Sequence, residues 1–217
     1  IDAVEMEEGD IVILNDPYAG GTHLPDVTLV APVFLAQRKR PYAYVADRAH
    51  HSDIGGSSPG SMALVGDIRR EGLRIPPVHL QRRGGSVRET RQLFVANTRV
   101  SEERMGDLDA QVAALRAGQA RLVELASRWG DRRLGRAMAE LQSYSHRLVE
   151  VLIKKIPAGR WRARDLLDDD GMGHGPIALA VSLERRGRRL KVDFRGSSPQ
   201  VEGPLNANLA VTTSAVF

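Results

Sequence analysis

From Met105 to Ile156 the apolar residues recur at helical spacing, and this fixes the middle of the chain. Met105, Leu108, Val112, Leu115, Leu122 and Leu125 fall three, four or seven apart, which puts them on one helix face. Ser101, ahead of Glu102-Glu103-Arg104, is placed to cap that helix. Gly130-Asp131 breaks it. A second row follows, Leu134, Met138, Leu141, Leu148, Leu152 and Ile156, and Pro157 ends it. Two helices joined by so short a turn are expected to pack as an antiparallel hairpin. On either side the pattern changes to short apolar or alternating runs. Ile11–Leu14, Val27–Leu35 and Tyr42–Ala46 read as strands before the helices. Arg160–Leu167, Ile177–Leu183 and Leu190–Phe194 read as strands after them. Residues 68–81, with Glu71-Gly72 and the doubled Pro76-Pro77, are expected to be extended and irregular. The fold class is therefore α+β, with strand-rich segments at both ends and a two-helix hairpin between. The expected parts are 1–100, 101–157 and 158–217, the last continuous with the first.

Composition removes several functions. There are no cysteines, so disulfides and thiolate metal sites are excluded, and any metal is held by His, carboxylate, carbonyl or water. The net charge is +4, but the basic residues are scattered among turns and helices. Aromatic residues are 5%, too few for a base-stacking platform, so no nucleic acid is expected. No run approaches the roughly 20 apolar residues of a membrane span. The start is acidic and lacks the basic n-region of a secretory signal. A cytoplasmic protein is expected, and both ends read as cuts through a larger fold.

Chemistry concentrates in two stretches with paired glycines. The first is Asn15-Asp16-Pro17-Tyr18-Ala19-Gly20-Gly21-Thr22-His23-Leu24-Pro25-Asp26. The second is His50-His51-Ser52-Asp53-Ile54-Gly55-Gly56. Pro25 argues against a helix between His23 and Asp26, so this pair is held on a loop. Imidazoles and carboxylates suit a divalent cation such as manganese or zinc. His23 and Asp26, joined by His50 and His51, are the candidate ligands. Asp53 is a candidate ligand, orienter of a histidine or general base, and His51 a candidate catalytic partner. If the strand before His50 persists, His50 points to one face while His51 and Asp53 share the other; if it has ended, both imidazoles converge. Asn15 and Asp16 read as turn formers. Gly55–Met62 is a Gly/Ser loop of the kind that cradles anions or simply turns, and no Walker-type lysine accompanies it. Asp168-Asp169-Asp170-Gly171 lacks the alternating spacing and distal glutamate of a calcium loop. His79, His146 and His174 stand alone.

These motifs carry a resemblance to a known family. Gly9-Asp10-Ile11-Val12, Asn15-Asp16-Pro17-Tyr18 through Pro25-Asp26, and Arg48-Ala49-His50-His51-Ser52-Asp53-Ile54-Gly55-Gly56 with Pro59-Gly60-Ser61-Met62 resemble the hydantoinase B family. So do Glu71-Gly72-Leu73-Arg74-Ile75-Pro76-Pro77, Asp107-Leu108-Asp109-Ala110-Gln111 and Val192-Asp193-Phe194-Arg195-Gly196-Ser197-Ser198-Pro199. The resemblance implies a subunit of an ATP-dependent hydrolase of cyclic amides, of hydantoin or 5-oxoproline type. The alternative it implies is a carboxylase subunit of acetone or acetophenone carboxylase type, whose member of this kind carries manganese. The implied partner is a hydantoinase A-type subunit that uses ATP. A module serving only subunit contact is the non-enzymatic alternative.

Overall fold

A computed structural model of the chain describes residues 4–36 and 38–217. Two compact units divide it: residues 1–128 with 207–215 and 217, and residues 129–206 with 216.

The first unit is built on a five-stranded antiparallel sheet. Strands β1 (Ile11–Leu14), β2 (Asp26–Val33), β3 (Ala43–His50), β4 (Val78–Arg82) and β5 (Gly85–Ser86) take the spatial order β3-β2-β1-β4-β5. β1 is central, and all four of its residues are buried, as its unbroken apolar run requires. β2 and β3 form the expected hairpin, but β3 runs four residues past Ala46, with Asp26 paired to His50 at its end. The helix α1 (Ile68–Glu71) and the strand β4 replace the irregular stretch expected over 68–81. Pro76-Pro77 stops short of Val78, so no proline removes a donor from β4.

One face of the sheet is covered by α2 (Arg88–Ala96) and α3 (Ser101–Trp129). Ile13, Val27, Leu29, Leu80, Phe94, Leu108, Val112 and Leu115 form the core there. Leu108, Val112 and Leu115 are the row that the helical spacing marked. The opposite face holds a smaller cluster of Met6, Val12, Leu14 and Val30. α5 (Leu209–Val216) lies in this unit up to Ala215 and is capped by Asn208, whose side chain accepts from the Val211 N–H at 2.9 Å.

The second unit contains α4 (Asp131–Lys155) and a three-stranded antiparallel meander, β6 (Gly159–Leu167), β7 (Ile177–Arg186) and β8 (Arg189–Asp193). Gly130, at φ 80°, separates α3 from α4. Asp170 accepts from the backbone N–H groups of Met172, His174 and Gly203 and from His174 Nδ1. The acidic turn is thus a backbone-capping device, with the carboxylate that a calcium loop would offer already engaged.

Candidate functional site

The loop between β1 and β2 is fixed by Asn15. This side chain is completely buried. Its amide donates to the carbonyls of Leu24 at 2.7 Å and Leu73 at 2.9 Å, and its oxygen accepts from the Ile75 N–H at 2.6 Å. The turn itself closes on Asp16, whose carbonyl accepts from Ala19 and Gly21 N–H. Gly21 admits no side chain, since a Cβ there would lie 2.1 Å from the Asn15 carbonyl oxygen. Such packing holds Thr22 and His23 close over the start of β2.

Here three of the candidate ligands come together. His23, Asp26 and His50 each offer a ligand atom, and these atoms all lie within 4.8 Å of one another. His50 Nδ1 stands 2.9 Å from Asp26 Oδ1, as their paired positions on β3 and β2 dictate. The rings of His23 and His50 stack with centroids 5.6 Å apart. Thr22 Oγ1 donates to Asp26 Oδ2 at 3.3 Å. Ligand atoms on one tetrahedral divalent ion at about 2.1 Å would stand about 3.4 Å apart. Side-chain adjustments of up to about 1.4 Å would bring these three atoms to such an ion. Two imidazoles and a carboxylate on partly open side chains are the donor types a catalytic divalent ion takes, with positions left for other ligands.

His51 and Asp53 are elsewhere. The strand persists to His50, so alternation sends His51 to the helix-covered face. Its ring is buried, edge-on to Phe94 at 5.5 Å, and its Nε2 lies 3.0 Å from Gln111 Oε1. Gln111 in turn donates to the Val27 carbonyl. Burial holds the His51 imidazolium down, outweighing the nearby Gln111 and Asp107. His51 therefore lies in the core, apart from the converging ligand atoms of His23, Asp26 and His50. Asp53 is also buried, and its oxygens are engaged: Gly55 N–H at 3.0 Å, Arg99 N–H at 2.5 Å and the Arg99 guanidinium at 2.6 Å. It ties the second glycine loop to Arg99, just ahead of α3. Gly55 and Gly56 pack against the Asn97 and Glu71 backbones, where a Cβ would come within 2.4 and 2.5 Å respectively. With Ser57 N–H bonded to the Arg70 carbonyl, this loop is a packed turn and not an anion cradle.

Burial raises the Asp53 carboxyl, but the Arg99 and Gly55 N–H groups and the Arg99 charge more than offset it, so it lies below the usual carboxylate range. A depressed carboxylate stabilises the fold above about pH 3.9 and ceases to do so as pH falls through its lower folded value. Asp53→Asn should cost about 2 kcal/mol at neutral pH and flatten the fall in melting temperature between pH 5 and pH 2. Equal slopes in the two proteins would show that Asp53 does not carry this ion pair.

Two further residues touch the site that were not among the candidate ligands. Arg48 Nε donates to Thr28 Oγ1 at 2.9 Å, Nη1 to Thr22 Oγ1 at 3.2 Å and Nη2 to the Gly20 carbonyl at 3.3 Å. Asn208 Nδ2 donates to the Thr22 carbonyl at 3.0 Å. Arg48 stands in the same sequence motif as His50, but nothing local signals its contact with Thr22; Asn208, far along the chain, offers no local signal. Among the described residues, no helix is long and apolar enough to cross a membrane.

Comparison with known proteins gives a consistent answer. An uncharacterized protein of Methanocaldococcus jannaschii is 37% identical over 99% of this chain, which covers 37% of that protein. The caprolactamase subunit beta of Pseudomonas jessenii is 32% identical over 98% of the chain, which covers 36% of it. The crystal structure of the ATP-dependent caprolactamase from the same organism superposes with a TM-score of 0.91 at 31% identity, covering 99% of this chain and 37% of that one. An acetone carboxylase structure shares the fold, with a TM-score of 0.89 at 20% identity over 97% of this chain and 29% of that one. The chain thus spans little more than a third of the relatives it matches first. The family Hydantoinase B/oxoprolinase matches residues 1–217 in full, and the chain belongs to that family.

Proposed function

We propose that this chain is part of a hydantoinase B-type subunit of an ATP-dependent hydrolase acting on small cyclic amides. In this reading His23, Asp26 and His50 hold a divalent metal, manganese or zinc. The observation that carries the reading is the convergence of these three ligand atoms in a chain that resembles an ATP-dependent caprolactamase along its length. A lactam carbonyl is a poor electrophile, and ATP-dependent activation by a hydantoinase A-type partner is the chemistry that relieves this. When bound, the ion supplies Lewis-acid stabilisation of oxygen-centred negative charge. The chain's own contribution is to present two imidazoles and one carboxylate on a loop and two strand ends. The buried scaffold of His51, Asp53 and Asn15 keeps them there. The partly open setting of His50 and Asp26 leaves room for a small substrate to approach.

The test is ring opening by the full-length subunit together with its ATP-hydrolysing partner. Hydantoin, 5-oxoproline and caprolactam are offered with and without ATP, and acetone with bicarbonate as a carboxylase control. Hydrolysis of at least one cyclic amide that depends on ATP is expected. Acetone carboxylation in its place would move the assignment to the carboxylases, and ring opening without nucleotide would contradict the proposed chemistry.

A further inference from the structure

An arginine stands beside the three converging ligand atoms. Arg48 lies two residues before His50 on the same face of β3, opposite Thr28. Its three bonds all go to neutral oxygens, those of Thr28, Thr22 and Gly20. A positive charge there repels a divalent ion, so attraction of the ion cannot be its role. What it does geometrically is join β2 and β3 to the loop that carries His23. The Thr22 hydroxyl accepts from Arg48 Nη1 and donates to Asp26 Oδ2 at 3.3 Å. One continuous hydrogen-bonded path therefore runs from the guanidinium to a ligand carboxylate. The second hold on the same residue comes from 186 positions away. Asn208 caps α5 through its oxygen and donates through its nitrogen to the Thr22 carbonyl. Thr22 is thus gripped at its hydroxyl by Arg48 and at its carbonyl by Asn208, immediately before His23.

We infer that Arg48 and Asn208 are positioning residues that hold the Thr22–His23 loop in ligating geometry and thereby set the metal affinity of the His23, Asp26 and His50 cluster. The inference rests on the metal reading above. Hydrogen-bonded supports of metal ligands commonly govern affinity by about 10–100-fold, because a ligand that must be ordered on binding gives up part of the interaction free energy as lost entropy.

The sign of one measurement separates geometry from charge. Manganese is titrated into the metal-free full-length protein, and free Mn²⁺ is followed by its EPR signal. Arg48→Met should weaken binding by about 10–100-fold, although it removes a repelling charge. Thr22→Val, which keeps shape and deletes the hydroxyl relay, should weaken it in the same direction, as should Asn208→Ala. Thermal melting of the metal-free proteins establishes that each is folded, and Thr22→Val carries the test if Arg48→Met does not fold. In the metal-free protein, amide hydrogen exchange at Gly21 and Asp26, whose N–H groups donate to the Asp16 and His23 carbonyls, should quicken in Arg48→Met. Unchanged or tighter manganese binding in the folded variants, with unchanged exchange, overturns the inference and leaves the metal reading standing. Failure of the unsubstituted protein to take up manganese, cobalt or zinc overturns both.

Discussion

His23→Ala should weaken manganese binding by more than about 100-fold, beyond the range that supporting residues usually command, while leaving the fold intact. His23 is only partly buried and lies outside the apolar cores, so its removal opens no cavity. Its ring offers one of the three converging ligand atoms and stacks on the His50 ring. The effect is readable by melting as well as by titration. A ligand at about 100 times its dissociation constant stabilises the native state by about 2.7 kcal/mol. At the same manganese concentration, a variant weakened 100-fold would gain only about 0.4 kcal/mol. The metal-dependent rise in melting temperature should therefore all but vanish in His23→Ala. His51→Leu should do the reverse. It should lower the melting temperature of the metal-free protein, since the Gln111 bond and the contact with Phe94 are lost, and keep most of the metal-dependent rise. Equal behaviour of the two variants would contradict the division of labour drawn between neighbouring histidines.

Asn15→Ala should be the most destabilising single change considered, at about 3–5 kcal/mol. One fully buried side chain satisfies the carbonyls of Leu24 and Leu73 and the N–H of Ile75. Truncation leaves three backbone groups without partners and without water, at about 1–3 kcal/mol each. Domains carry about 5–15 kcal/mol in total, so a melting temperature lower by about 10 °C is expected, at about 2–4 °C per kcal/mol. The loss should spread to the site, because Leu24 follows His23 directly. A loss below about 1 kcal/mol would mean that the three bonds do not act together as drawn.

Asn15 also shows where reading by sequence ends. Next to Asp16-Pro17 it has every mark of a turn former, and local chemistry gives no hint that it reaches a segment 60 residues on. The same limit hid β4: its neighbours Glu71-Gly72 and Pro76-Pro77 speak for irregular chain, and only its pairing with β1 makes Val78–Arg82 a strand. α2 escaped notice because one residue, Phe94, is all that it buries. What was legible depended on period. The α3 row of Leu108, Val112 and Leu115 repeats at helical spacing and is buried as that spacing requires. Strand alternation framed the choice between His50 and His51 correctly, as two faces. It could not decide the choice, because the end of β3 is set by Asp26 pairing across to His50, a contact between strands. Arg48 and Asn208 act through the loop 20–23, from a neighbouring strand and from a distant helix cap, so their roles follow from the fold alone.

Crystals of the metal-free protein soaked in manganese, with anomalous diffraction collected, test the central claim most directly. One strong anomalous peak is expected within about 2.3 Å of the side chains of His23, Asp26 and His50 together, with His51 remote from it. A peak bound by His51 or Asp53, or no ordered peak among the three side chains at saturating manganese, would contradict it.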